Sequence, residues 1–333
     1  MQYRRLGKSN LEVSLLCLGT MMFGDQTGRA EAQAIVADAQ ANGVNFIDTA
    51  DNYVGGASET MLGELLKGTR HDWVLATKLG NKISQRPNDG GFSRSWILRE
   101  AEVCLKRLQT DYIDILYLHR DPNGMELEEP LRALDALLRS GKIRAWGVSN
   151  FRGWRIAEAM RIAGQLGMPG PVICQPYYNL LNRMPEVEVL PACEHYGIGV
   201  APYSPIARGV LTGKYAPGQA PAEGSRAARG DKRIAETEFR EESLQIAQLL
   251  KVHAERKGIS LGQFATAWVL AHRAVSSVVA GPRTLKQWQD YRPALDYVVT
   301  EEDEALIDSL VTPGHPSTPG FNDPSYPLHP RRR

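Results

Sequence analysis

Cysteine is scarce in this chain: its 333 residues hold four, at positions 17, 104, 174 and 193, with no CxxC spacing among them. A disulfide framework and a cysteine zinc site are therefore excluded as readings, and a reducing, cytoplasmic setting is expected. No two of the seven histidines stand at the i, i+3 or i, i+4 spacing that puts two ligands on one helix face, so no metal centre is expected. Charge of one sign is also lacking. Thirty-nine Lys and Arg against 38 Asp and Glu give a net +1, which argues against a nucleic-acid binder working through a strong basic field. No apolar run is long enough to span a membrane, so no membrane partner is expected. The run from Val13 to Phe23, preceded by Arg4, Arg5 and Lys8, imitates a secretory signal, but Glu12 interrupts its approach and no small-residue cleavage site follows.

What is present is apolar and periodic. Hydrophobic residues make up 43% of the chain, enough for a large core. Proline is concentrated at one end, where 313–333 holds six of the twenty and carries +2 from Arg331, Arg332 and Arg333 against Asp323. Such a stretch cannot be a helix or an inner strand, so it reads as an extended tail, frayed or laid over the body. Residues 1–312 read as a single domain.

Within that domain, short apolar runs alternate with helical patterns. Strands are expected at 15–18, 44–48, 73–77, 113–118, 143–148, 172–174, 199–201 and 277–280. Helices fill the intervals, including 31–42 closed by Gly43, one that Ser58 is placed to cap, and an extra one near 261–272. Eight strands alternating with helices favour an α/β fold, a closed parallel (β/α)8 TIM barrel with extra helices. Residues 3–13 break the rhythm with a Gly-Lys-Ser-Asn turn at 7–10 and predict a hairpin covering the barrel floor.

In such a barrel the chemistry sits where the strands end at their C-terminal side. The polar residues closing three successive runs are Asp48, Lys78 and His119, with Tyr53 five residues beyond Asp48. A tyrosine hydroxyl ordinarily titrates near 10, and a neighbouring ammonium lowers that by favouring the phenolate. Lys78 suits that role, with Asp48 fixing the lysine and His119 bonding a substrate oxygen. Each also has a plain structural reading: a rim ion pair, a buried histidine, a loop aromatic.

The segment from Phe46 to Tyr53, together with Thr77-Lys78 and Tyr117-Leu118-His119, resembles the signature of the aldo-keto reductase family, and the resemblance runs through about residues 1–312. It implies Tyr53 as general acid, Lys78 and Asp48 as its tuning pair, and His119 as the group that orients a carbonyl. A hydride would pass from NADPH to the carbonyl carbon, leaving NADP+. The segment from Gly147 to Phe151, with Ser149 and Asn150, and Gln175 resemble the residues that bind the nicotinamide carboxamide, and Tyr203 the aromatic under the ring.

The run Ser204-Pro205-Ile206-Ala207-Arg208-Gly209-Val210-Leu211-Thr212-Gly213-Lys214 resembles the pyrophosphate-covering loop of the branch related to potassium-channel β subunits. Glycines there allow close backbone approach, and Arg208 and Lys214 offer positive charge. Spacing excludes a Walker motif, and Gly197-x-Gly199 lacks the third glycine of a Rossmann fingerprint. Gly281 and Arg283 resemble the adenosine 2′-phosphate site, with Gln287 and Asp290 toward the adenine.

Phe23, Asn52, Trp96, Phe151 and Tyr178 are candidate walls of the substrate pocket, and Phe321 or Tyr326 a candidate lid. The expected partner is a small-molecule carbonyl compound; oligomeric state stays open. An NADP(H)-sensing regulatory subunit with little turnover is the alternative, and a phosphate-binding lyase or isomerase using Lys78 a third. The absence of a segment ahead of Met1 is read as favouring a free enzyme.

Overall fold

The computed structural model describes residues 1–121 and 125–326. These gather into two compact units, the first made of Met1–Tyr177, Val187–Tyr203 and His272–Gln289, the second of Tyr178–Glu186, Ser204–Ala271 and Asp290–Arg333.

The first unit opens with the expected hairpin. β1 (Tyr3–Arg5) pairs antiparallel with β2 (Glu12–Ser14), Tyr3 opposite Ser14. At its turn Gly7 adopts φ +53°, and a Cβ there would lie 2.1 Å from the Gly197 carbonyl oxygen. Only glycine tolerates both. The approach lets the Lys8 N–H donate to Gly197 O at 2.8 Å. Leu6 and Val13 are fully buried in one cluster with Cys17, Phe46, Ala76 and Ile115, and the hairpin's Leu11 packs there beside Val74 and Val172. Val74 opens one strand and Val172 immediately precedes another, so the hairpin sits against the strand starts, the floor of the barrel.

Eight parallel strands form that barrel: β3 (Leu16–Gly19), β4 (Phe46–Asp48), β5 (Val74–Leu79), β6 (Ile113–Leu118), β7 (Ile143–Ser149), β8 (Ile173–Gln175), β9 (Gly199–Val200) and β10 (Val278–Ala280), in the order β10-β3-β4-β5-β6-β7-β8-β9. The ends meet where Ser276 N–H donates to Val200 O at 2.8 Å and Val279 N–H to Pro202 O at 2.9 Å. The fold is thus the α/β, (β/α)8 barrel that the alternation predicts. Strands buried on both faces read as continuous apolar runs, which is why they are visible in sequence.

The helices of this unit are α1 (Arg29–Ala41), α2 (Ala57–Leu65), α3 (Arg94–Leu108), α4 (Glu128–Arg139), α5 (Gly153–Gln165) and α6 (Val189–Tyr196), with the short α10 (Leu285–Gln289) following β10. α3 buries Ile97, Ala101, Cys104, Leu105 and Leu108, the face its 3.6-residue spacing marks out, and Ser93 caps it by accepting from Trp96 N–H. Ser58 differs from expectation. α2 begins one residue before it, and its buried hydroxyl donates to Thr20 O at 2.9 Å and meets the hydroxyls of Thr20 and Thr49, each at 2.9 Å. A hydroxyl surrounded by buried acceptors serves the core and leaves the helix start to backbone geometry. Lys78, expected just past its strand, lies inside β5, because hydrogen bonding to β6 continues through Leu79.

The second unit contains α7 (Lys232–Glu236), α8 (Glu241–Arg256), α9 (Leu261–Ala271) and α11 (Glu301–Leu310). α9 is the expected extra helix. α11 starts with a reciprocal capping box between Thr300 and Asp303, and Asp303 also bonds the buried His253 ring at 2.6 Å. The described part of the proline-rich tail is laid over this unit. Ser317 N–H donates to Leu181 O, its hydroxyl meets Ser243 Oγ at 2.8 Å, and Arg233 grips both oxygens of Asp323. The Arg240 guanidinium covers the Phe321 ring at 3.7 Å. Among the described residues no helix is long and apolar enough to cross a membrane.

Candidate active site

Four residues from three neighbouring strands and one loop converge in the first unit. Asp48 ends β4, Lys78 is the penultimate residue of β5, and His119 follows β6 directly. Tyr53 arrives on the loop after β4, whose course is fixed by Asp51 N–H donating to Lys78 O at 2.9 Å. Lys78 and Asp48 are buried, at 0% and 2% exposure.

The lysine ammonium has three N–H groups and uses them on three acceptors: the Asp48 carboxylate, Thr49 O at 2.8 Å and the Tyr53 hydroxyl oxygen at 3.3 Å. Because Lys78 donates into the tyrosine oxygen, the proton on that oxygen is not committed to Lys78. Burial works against the lysine's charge, but the Asp48 carboxylate and Tyr53 oxygen hold its pKa above the ordinary lysine value. It is therefore cationic at neutral pH and stands 4.9 Å from the Tyr53 ring centre. His119 meets that ring edge-on, with centroids 5.9 Å apart and planes at 77°. Burial, with the Lys78 and Arg120 cations, pushes the imidazole pKa well below its usual value, so the ring is neutral near pH 7.

A second set of side chains braces these four. Gln175, at the end of β8, donates from Nε2 to the other Asp48 oxygen at 3.0 Å. Asn150 donates to His119 O at 3.0 Å and to Ser149 Oγ at 3.0 Å, and accepts from the Tyr203 hydroxyl at 2.8 Å. Ser149 in turn donates to Gln175 O at 2.8 Å. The residues expected to meet a nicotinamide are thus brought together beside the tetrad as one hydrogen-bonded set. The Tyr203 ring stacks on Tyr177 at 5.2 Å.

Near β10, Gln287 turns back to accept from Arg283 N–H at 2.9 Å, and Thr27 donates to Arg283 O, which orders the Gly281–Arg283 turn. In the second unit, Ala207–Thr212 forms a kinked 3-10 turn in which Arg208 Nε donates to Thr237 Oγ1 at 3.1 Å. Asp290 also belongs to that unit, where its carbonyl accepts from Gln263.

Backbone conformation marks the same segments. Among the described residues six non-glycine positions have positive φ; four of them, Asn150, Ser204, Ala207 and Arg208, fall in the runs that the sequence singles out, and a fifth, Val54, directly follows Tyr53. Left-handed backbone at such residues costs free energy and persists where function or packing requires it.

Comparison with known proteins settles the family. The Aldo/keto reductase family model matches residues 15–312. The chain belongs to the aldo-keto reductase family. It is 38% identical over 322 residues to a protein of Oryza sativa subsp. japonica named as a probable voltage-gated potassium channel subunit beta, covering 93% of this chain and 97% of that one. A protein of Arabidopsis thaliana with the same name is 37% identical over 305 residues, 90% of this chain and 92% of the relative. The uncharacterized oxidoreductase YrpG of Bacillus subtilis (strain 168) is 36% identical over 322 residues, 93% and 96% of the two chains. The expected branch of the family is therefore the right one, and a general oxidoreductase role follows.

In this aldo-keto reductase chain the proposed pocket walls differ in setting. Phe23, Trp96 and Phe151 are almost wholly buried, and Tyr178, in the second unit, donates to Glu186 at 2.8 Å. Asn52 keeps its buried Oδ1 without a hydrogen bond to any described residue. Two groups escaped the sequence reading. Asn81, two residues past β5, hydrogen-bonds the His119 ring, and the strand-end rule would reach it only by following the chain beyond Lys78. Behind the Tyr53 loop, Arg107 bonds Glu59, Glu100 and Asp51 O at 3.2–3.3 Å, a cluster built from three separate segments.

Proposed function

We propose that the protein reduces an aldehyde or ketone to an alcohol, with Tyr53 as the proton donor and NADPH as the reductant. One observation carries this reading: a buried ammonium that spends one N–H on Asp48 and another on the tyrosine oxygen, leaving the tyrosine proton outside that bond. Tyr53 gives that proton to the carbonyl oxygen while Lys78 stabilises the phenolate left behind, and His119 bonds the same oxygen. The donor set fits a nicotinamide, whose amide needs both a donor and an acceptor: Ser149, Asn150 and Gln175 provide both, and Tyr203 provides a ring face. The cofactor, when bound, supplies the hydride. Arg283 is assigned to the 2′-phosphate that separates NADPH from NADH.

Tyr53→Phe tests the reading. It keeps the ring and removes the proton, so NADPH oxidation at 340 nm with simple aldehydes should fall by a factor on the order of 10² or more, while quenching of tryptophan fluorescence by NADPH persists. Arg283→Ala should raise KM for NADPH roughly tenfold or more and leave KM for NADH nearly unchanged. A second reading, an NADP(H)-sensing subunit, is favoured by the two plant relatives, whose names are those of probable channel β subunits. Tight NADPH binding by the wild type without turnover of any of a panel of aldehydes, ketones, sugars and hydroxysteroids would select it.

A further inference from the structure

A neutral imidazole carries one proton on one of two nitrogens, and only the protonated nitrogen can donate to a carbonyl oxygen. The choice is made by whatever the other nitrogen bonds. In this chain that partner is Asn81, whose side-chain Nδ2 lies 2.9 Å from His119 Nδ1. An amide nitrogen is a donor only, so Nδ1 must be the acceptor and the proton must sit on Nε2.

Both ends of this hydrogen bond are held by backbone. His119 N–H donates to Leu79 O at 3.0 Å, which aligns the end of β6 with the end of β5, and His119 O accepts from Asn150. Asn81 lies two residues past Leu79, across Gly80, whose φ is +116° and whose absent Cβ would lie 2.3 Å from the Phe92 ring. Gly91 N–H donates to Gly80 O at 3.0 Å and closes the loop on itself. The amide is therefore delivered to the imidazole by a turn with little room to vary. Burial, with the charges of Lys78 and Arg120, favours the neutral form of the ring, in which the tautomer matters.

We propose that Asn81 is a positioning residue that holds His119 in the Nε2–H tautomer, so that the imidazole meets the substrate oxygen as a hydrogen-bond donor. The consequence for turnover rests on the reductase reading; the tautomer rests on the Asn81–His119 geometry alone. The two are separable by experiment.

The direct readout is the nitrogen NMR spectrum of protein labelled with 15N-histidine at neutral pH, with His119 assigned by its loss in His119→Gln. The wild type should show Nδ1 in the unprotonated range and Nε2 in the protonated range. Asn81→Asp keeps the size and replaces the donor with an acceptor, so the proton should move to Nδ1. Asn81→Ala should leave a mixture. With a good carbonyl substrate, kcat should fall by roughly 10²-fold in Asn81→Asp and less in Asn81→Ala, while KM for NADPH stays within about twofold of wild type. A wild-type His119 protonated on Nδ1, or a tautomer that does not respond to either variant, overturns the proposal. Were the wild type to turn over no carbonyl compound, the reductase reading would fail, and the NMR result would still decide the tautomer.

Discussion

Asp51 shows how much electrostatic work stands behind a tyrosine two residues away. It is 1% exposed, and no side chain among the described residues hydrogen-bonds its carboxyl group. Burial pushes its pKa up to about 8, with the Glu59 and Glu100 carboxylates adding to the shift and the Asn52 backbone N–H and Arg107 opposing it. The sign of the pH dependence follows. An unfolded aspartate loses its proton near pH 4, so between about 4 and 8 the native chain holds a proton that the unfolded chain lacks. Stability owed to this group is therefore full below that window and declines as pH rises through it. Asp51→Asn has nothing to ionise at that position. Its Tm should match wild type near pH 4.5 and exceed it by a margin that grows up to pH 8. Parallel Tm curves for the two proteins from pH 4.5 to 8.5 would contradict this.

At the scale of elements, the hairpin floor depends on one turn. Gly7→Ala would drive a Cβ into Gly197 O and demand a left-handed alanine, so the turn must open and Leu6 and Val13 must loosen from the strand starts. The expected loss is about 2–4 kcal/mol in urea unfolding, against a few tenths for an exposed substitution such as Lys67→Ala. The hairpin was legible because a turn sequence between two short runs is local information. The barrel was legible because eight doubly buried strands each leave an apolar run, and three members of the tetrad because a polar residue closes or nearly closes such a run. Legibility stops where a contact joins distant segments. Ser58 has the composition of a cap, yet Thr20 and Thr49, which claim its hydroxyl, are fixed by the packing of α2 against two strand ends. Asn81 reaches His119 through a turn whose shape depends on Phe92, and no spacing in the sequence announces that pairing. The cluster of Glu59, Glu100 and Arg107 is hidden for the same reason, since each residue alone reads as a solvated charge on a helix.

For the whole molecule, the net charge of +1 conceals a division between a body of −1 and a tail of +2, and the described tail uses its one acidic residue to attach. Asp323 receives two N–H groups from Arg233, a paired geometry that outperforms a single-point surface contact. Ser317 reaches Leu181 O and Ser243, and Phe321 lies under Arg240. These contacts fall within the second unit and order a proline-rich stretch whose described part has no helix or strand of its own. Deleting 313–333 should therefore lower Tm by on the order of 1–3 °C, the size expected from losing one or two kcal/mol in a chain this long. Arg233→Ala should reproduce part of that loss, and raising the salt concentration should shrink the difference between Arg233→Ala and wild type, because the pair is only partly buried. An unchanged Tm in the deletion would mean that the tail rests on the unit without supporting it. Steady-state kinetics on the same truncated protein address the expected lid separately: a raised KM for the carbonyl substrate with KM for NADPH unchanged assigns Phe321 or Tyr326 to the substrate, whereas a fall in Tm with both constants unchanged confines the tail to support of the fold.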